Sequence, residues 1–160
     1  MKRIIIFGNA GSGKSTLAKK LAKQFKLTHL DLDTLAWLDT DPPSRKQLND
    51  SAREMDRLLD QTPAWVIEGG YSDLLVLKLK QATEVFFLNL GVATCIDNCR
   101  SRPWEPHKYN SPEEQNNNLD MLIDWLKQYP FRDDDFSLTS HQQLFNDFTG
   151  KKMEFLTLPV

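Results

Sequence analysis
Sulfur, imidazole and charge bias are all scarce in this chain. Two cysteines and three histidines are spread over 160 residues. Cys95 and Cys99 stand four apart, on one face of an expected helix, without the further Cys or neighbouring His that a zinc site needs. A reducing compartment disfavours a disulfide, so both are read as small apolar side chains of a core. His29, His107 and His141 are scattered and form no i, i+4 pair, which argues against a metal site of the zinc type. Acidic and basic residues nearly cancel, 22 against 20 for a net charge of −2, so nothing favours nucleic acid or an anionic membrane as a partner. No apolar run approaches the roughly 18 residues that span a bilayer, and the short run at residues 4–7 leads into a loop rather than a cleavage site. A cytoplasmic location is expected. There is no internal repeat and no linker-like stretch. A chain of 160 residues with 40% hydrophobic side chains suits one well-buried core, and residues 1–160 are expected to form a single domain.

The informative residues lie near the start. Residues 8–15 read GNAGSGKS and satisfy the phosphate-loop pattern G-x-x-x-x-G-K-[ST]. Position gives the pattern its meaning. The apolar run Ile4, Ile5, Ile6 and Phe7 precedes it, and Leu17, Ala18, Leu21, Ala22 and Phe25 recur at helical spacing after it. A buried strand feeding a helix through a glycine-rich turn aims several backbone N–H groups at one point, where the helix N-terminus adds partial positive charge. In such a cradle Gly8, Gly11 and Gly13 permit tight curvature and close approach, with Asn9, Ala10 and Ser12 between them. Lys14 reaches the β and γ phosphates, Ser15 offers a hydroxyl to Mg²⁺, and Thr16 reaches the α phosphate. ATP and Mg²⁺ are the expected ligands. A GTPase is disfavoured, since no [NT]-K-x-D guanine-specificity motif follows the loop.

Strands and helices are expected to alternate. Residues 28–32, 65–67, 85–90 and 153–158 read as further strands, mostly as unbroken apolar runs, as strands covered on both faces should. Between them, Ser44 and Gln47 form a capping box ahead of a helix carrying Leu48, Ala52, Met55 and Leu59. A helix over residues 93–102 stops at Pro103. Residues 103–110 are polar, proline-bearing and irregular, a lid-like insertion about 103–112. Ser111 opens the best-signalled helix, with Pro112 at its first position and Glu114 completing a capping box; the Asn116 to Asn118 run is its solvated face. A last helix begins near Ser140 and ends at Gly150. The pattern implies an α/β fold, a parallel sheet with helices on both faces.

Ligands of open parallel sheets gather at the carboxyl ends of the strands. The phosphate loop follows the first strand, Asp31 and Asp33 the second, and Glu68 the third. Phosphoryl transfer needs this set: a phosphate cradle, carboxylates that hold Mg²⁺ through water, and one that positions the acceptor. It also needs cations for charge on the equatorial phosphoryl oxygens. Arg100 and Arg102 flank the start of the irregular stretch, Lys108 lies within it and Arg132 lies just past Pro130; Arg102 and Arg132 are the preferred catalytic pair, and Arg100 is assigned to ATP.

With these motifs the chain resembles the P-loop small-molecule kinases of the adenylate kinase and shikimate kinase type, including the bacterial DNA topology modulation (FlaR-like) kinases. The resemblance covers most of the chain. It implies a three-layer P-loop NTPase fold with sheet order 2-3-1-4-5, an acceptor region between the second and third strands and a lid after the fourth. VIEGGY at residues 66–71 looks like a Glu-bearing version of the adenylate kinase aspartate-glycine pair. DLD at residues 31–33 is similar to the D-x-D of shikimate kinases, which makes Asp33 the acceptor residue and places Asp31 with Ser15 and Glu68 on the metal side. Gly69, Gly70 and Tyr71 complete the acceptor site. HLDLDTLAW and EGGYSDLL resemble the FlaR-like proteins. The phenylalanine-arginine pair that shikimate kinases use on their acid is missing, as is the glycine-phenylalanine-proline-arginine element of adenylate kinases. The expected activity is ATP-dependent phosphorylation of a small-molecule or nucleotide acceptor. The alternative is an ATP-binding regulatory protein without small-molecule kinase activity.

Overall fold
Strand β1 (Arg3–Gly8) is central in the five-stranded sheet of the computed structural model, which describes residues 1–159. It pairs in parallel with β5 (Trp65–Glu68) on one side and β6 (Glu84–Leu88) on the other. β2 (Thr28–Asp31) adds to β5, and β7 (Lys151–Phe155) adds to β6, both in parallel. The order β2-β5-β1-β6-β7 is the expected 2-3-1-4-5 when the five sheet strands alone are counted.

Alternation along β1 sends its side chains to both faces. Ile5 and Phe7 join Met55 and Leu59 of α2 (Leu48–Leu59), Leu74 and Leu75 of α3 (Ser72–Leu75) and Leu144 of α6 (Leu138–Asp147). Ile4 and Ile6 join Leu17 and Ala18 of α1 (Lys14–Phe25) on the other face. Each buried Ile, Leu or Phe contributes roughly 2 kcal/mol, so the strand is anchored on both faces and its glycine-rich end is held in place. A third cluster of Leu90, Cys95, Cys99 and Leu126 ties α4 (Val92–Ser101) to α5 (Pro112–Lys127) beside the phosphate loop. Both cysteines are free and buried, and burial pushes the Cys95 thiol up to about 11. Among the described residues no helix is long and apolar enough to cross a membrane.

Several local expectations are corrected. Ser44 does not cap α2: it pairs with Leu38 in a small antiparallel hairpin of β3 (Trp37–Leu38) and β4 (Ser44–Arg45), and Gln47 is the N-cap, without a side-chain bond. The hairpin holds Ser44 because its hydroxyl lies 3.1 Å from that of Thr40 and the next turn is tied by Lys46 N–H on the Ala36 carbonyl. The last helix starts two residues early, at Leu138, because Ser137 accepts from the Ser140 N–H and so makes Ser140 an interior first-turn residue. The last strand is shifted to Lys151–Phe155, in register with β6. α5 is capped by Ser111 as expected, but Glu114 reaches back to the Asn110 N–H rather than to that of Ser111. Residues 103–111 form neither helix nor strand.

Candidate active site
The turn after β1 is closed by Ser12 N–H on the Asn9 carbonyl at 3.2 Å. Gly11 has φ 77°, and a Cβ there would lie 2.4 Å from the Cys95 carbonyl oxygen and 2.7 Å from Cys99 Sγ. Both backbone shape and packing under α4 therefore demand glycine. Gly13, at φ 89°, is the N-cap of α1 and leaves its first turn without any side-chain cap, so those N–H groups stay open to an anion. The loop is braced from outside: Asn9 Nδ2 donates to the Leu126 carbonyl at 3.1 Å and Asn98 Nδ2 to that of Gly11 at 2.8 Å. Ser12 Oγ is buried without a hydrogen-bond partner. An uncapped helix start and an orphaned hydroxyl at one turn are what a bound phosphate chain would satisfy, so the residues fit a nucleotide.

Lys14 Nζ donates to the Asn9 carbonyl at 2.7 Å. Burial lowers its pKa, and Glu68 and Asp33 oppose that. Ser15 Oγ donates to Glu68 Oε1 at 2.7 Å, where His29 Nε2 also lies within 3.3 Å. Glu68 is only 2% exposed, so Ser15 and a carboxylate from the neighbouring strand share one small volume. Beside it a cavity of about 270 Å³ is lined by Ser15, Lys19, His29, Asp31, Thr34 and His107. Thr16 is exposed on α1.

Asp31 ends β2 and caps the 3₁₀ turn Leu32–Thr34 through the Asp33 N–H at 2.9 Å. That turn brings Asp33 back over the sheet edge. Burial, then Glu68 and Asp33, push the Asp31 carboxyl up. For Asp33 burial acts the same way, but the Lys108 ammonium outweighs it, helped by the Tyr71 hydroxyl and Lys14, and the carboxyl stays below its usual range. Lys108 Nζ lies 2.7 Å from Asp33 Oδ2 and 3.6 Å from Asp31 Oδ2. Tyr71 donates to Asp33 and accepts from Trp37 Nε1 at 2.8 Å; burial, then Asp33, raise its pKa. Arg45 lies with its guanidinium 4.8 Å from the Tyr71 ring centre and bonds Asp73 at 3.1 Å. Gly69 donates to the Ile6 carbonyl, and the Gly70 carbonyl meets buried His141.

The structure thus gathers Lys14, Ser15, Asp31, Asp33, Glu68 and Tyr71. It does not gather the arginines. Arg102 pairs with Glu105 at 3.1 Å, and Arg100 is exposed. Arg132 donates to the carbonyls of Trp125 and Phe136, pairs with Asp134 and lies over the Trp125 ring at 4.1 Å. Two residues at the site, Arg45 and His29, escaped the sequence reading, and a third, Lys108, was a lid candidate passed over for Arg102 and Arg132. Lys108 sits in a stretch with no periodicity to orient it, Arg45 in the unforeseen hairpin, and His29 in a strand read only for its apolar content. The alternation His29, Leu30, Asp31 was the available signal, since it puts His29 and Asp31 on one face.

A family model described as AAA domain matches residues 4–137. Among solved structures the chain is similar to a gluconokinase from Sinorhizobium meliloti 1021, with TM-score 0.59 over 99% of this chain and 84% of that one, at 13% identity. A shikimate kinase from Bacteroides thetaiotaomicron aligns over 91% of this chain and 97% of that one at 19% identity, with a TM-score of only 0.47. No curated protein matches the chain. The likeness is one of fold, the α/β P-loop fold.

Proposed function
The chain belongs to the AAA domain family, and from that premise we propose that it is an ATP-dependent kinase that transfers the γ-phosphoryl group to a small-molecule or nucleotide acceptor. One observation carries the reading: a P-loop lysine and serine, a buried glutamate from β5 and a paired aspartate from the turn after β2 meet at one sheet edge. The HLDLDTLAW and EGGYSDLL stretches resemble those of the FlaR-like kinases, and that resemblance supports the same reading. Mg²⁺ keeps several waters and takes phosphate oxygens as ligands, so few protein groups are needed to hold it. Ser15, Asp31 and Glu68 would hold Mg²⁺, which would neutralise charge on the β and γ phosphates.

The residues divide the work. The loop amides from Gly8 to Thr16 hold the polyphosphate, and Lys14 compensates its charge. Asp33, kept anionic by its cationic and phenolic partners, accepts the hydrogen of the acceptor hydroxyl and fixes that oxygen in line with the γ phosphorus. Tyr71 fixes the carboxylate in turn, with Gly69 and Gly70 shaping the floor. Arg102 and Arg132 take part only if nucleotide binding frees them from their present partners, and Arg100 only if it turns in from the exposed face of α4.

A coupled assay for ADP release tests this, run across nucleoside monophosphates, nucleosides, gluconate and other sugar acids, sugars and shikimate, with Lys14→Ala as control. One acceptor should raise ADP release at least about tenfold in a Lys14-dependent manner. Tight ATP binding with no acceptor response would instead mark an ATP-binding regulatory protein.

A further inference from the structure
Of the four cationic side chains singled out from the sequence, Arg100, Arg102, Lys108 and Arg132, three are already engaged elsewhere or exposed. Arg132 is fixed by two backbone carbonyls, Arg102 by Glu105, and Arg100 is exposed. Of the four, Lys108 alone reaches Asp33, 2.7 Å from its Oδ2; it also lies 3.6 Å from Asp31 Oδ2, which His107 Nε2 approaches at 3.7 Å, and 3.6 Å from Glu105 Oε2. Lys14 acts on the same Asp33 from the phosphate-loop side. Two ammonium groups therefore flank the space in which a γ-phosphoryl group would meet its acceptor. The segment carrying Lys108 is anchored mainly to α5: Glu105 N–H donates to Gln115 Oε1, Gln115 Nε2 to the Pro103 carbonyl, and Asn118 Nδ2 to the Tyr109 hydroxyl. It makes no strand pairing, so Lys108 can lift without disturbing the sheet.

We propose that Lys108 is a catalytic residue with two positions: on Asp33 and Asp31 in the empty protein, and on the equatorial oxygens of the γ-phosphoryl group during transfer. This rests on the kinase reading above. Lys108 Nζ lies on Asp33 Oδ2 and the Tyr71 hydroxyl on Oδ1, so an acceptor hydroxyl must compete with one of them for the carboxylate. An acceptor that hydrogen-bonds Asp33 Oδ2 displaces the ammonium next to the group whose charge must be met. The acceptor oxygen then bonds to phosphorus, and the bond from phosphorus to the β–γ bridging oxygen breaks with its electron pair staying on ADP. The hydroxyl proton passes to Asp33. The positive charge that Asp33 loses as partner is the one the phosphoryl group gains, so one residue both protects the base and stabilises the transfer.

The test uses the whole chain and MgADP, alone and with aluminium fluoride, which mimics the migrating phosphoryl group with water standing in for the acceptor. Calorimetry on wild type should show aluminium fluoride tightening MgADP binding at least about tenfold. Lys108→Met should bind MgADP within about twofold of wild type and lose that tightening, while Lys108→Arg should recover part of it. Lys108→Gln provides a second neutral variant, and circular dichroism checks the fold of each. Tightening that survives in both neutral variants overturns the assignment, as does wild-type MgADP binding that depends on Lys14 but gains nothing from fluoride. A neutral variant that binds the fluoride complex more tightly than wild type would leave Lys108 a restraint on Asp33 and also overturns it. MgADP binding that is unaffected by Lys14→Ala removes the kinase reading itself, and this inference with it.

Discussion

His141 Nε2 lies 2.8 Å from the carbonyl oxygen of Gly70. Its Nδ1 lies 2.7 Å from the Tyr129 hydroxyl, so one imidazole on α6 links the glycine pair after β5 to the end of α5. The ring is fully buried and packs against Phe7 and Phe87. With a carbonyl at one nitrogen and a hydroxyl at the other, the neutral ring satisfies both: Nε2–H donates to Gly70 and Nδ1 accepts from Tyr129.

That arrangement makes stability depend on pH. Burial lowers the His141 pKa from 6.5 to about 4, so between those values the unfolded chain binds a proton that the folded chain refuses. The contribution is complete above the unfolded value and is lost as pH falls toward the folded one. Denaturant titrations should show about 2 kcal/mol of stability lost to this group between about pH 7 and about pH 5. His141→Asn should be less stable at neutral pH but show a flatter slope over that interval. An unchanged slope in the variant would assign the pH dependence to other groups.

Gly11→Ala should damage both fold and binding. A Cβ there meets the Cys95 carbonyl oxygen at 2.4 Å, a backbone atom that cannot swing aside, and φ 77° is itself unfavourable for alanine. The conformational part alone costs roughly 1–3 kcal/mol. Thermal unfolding should fall by several degrees, and ATP affinity should fall with it because the loop must open to relieve the clash. Gly91→Ala is the comparison: φ is 88° but nothing lies within 4 Å of the added carbon, so it should show a stability loss without the effect on ATP.

How far these features could be read from the sequence differs by element. The five sheet strands and the phosphate loop were legible because each rests on short-range pattern: an unbroken apolar run, a glycine-rich turn, a helix of the right period; the order of the strands came only from the resemblance to the P-loop kinases. Ser111 was legible as a cap because Pro112 and Glu114 support it locally. Ser44 carried the same local signal and failed, since the hairpin that captures it depends on pairing with Leu38 and on the turn through Asp41 and Pro42. The cationic partners were the least legible. Arg132 and Lys108 both lie in irregular chain near the site, and only tertiary packing turns Arg132 toward the Trp125 carbonyl and Lys108 toward Asp33.

Glu68→Gln should separate metal from nucleotide. Ser15 Oγ and His29 Nε2 both lie against Glu68 Oε1, and an amide of the same shape keeps an oxygen for Ser15 while removing the negative charge. Binding of ATP without Mg²⁺ should stay within about twofold of wild type, whereas the gain from adding Mg²⁺ should shrink at least about tenfold. Calorimetry with and without the ion measures both. An undiminished Mg²⁺ gain would show that Glu68 acts on neither the ion nor its waters.

Tyr71→Phe isolates what the phenol does for Asp33. The hydroxyl accepts from Trp37 Nε1 at 2.8 Å and donates to Asp33, so phenylalanine keeps the buried ring and removes both bonds. Trp37 is half exposed and can turn its N–H to water, which limits the stability loss to about 1 kcal/mol. Asp33 keeps Lys108 but loses its one hydroxyl donor. Burial already favours its protonated form, and the Tyr71 bond is among the contributions that hold it ionised. Its pKa must therefore rise in the variant, and the acidic limb of the kcat/KM profile, which reports the free protein, should move to higher pH. At alkaline pH, where Asp33 is ionised in both proteins, the remaining deficit measures lost positioning alone. A variant with an unmoved acidic limb would show that Asp33 is not the group whose ionisation governs transfer.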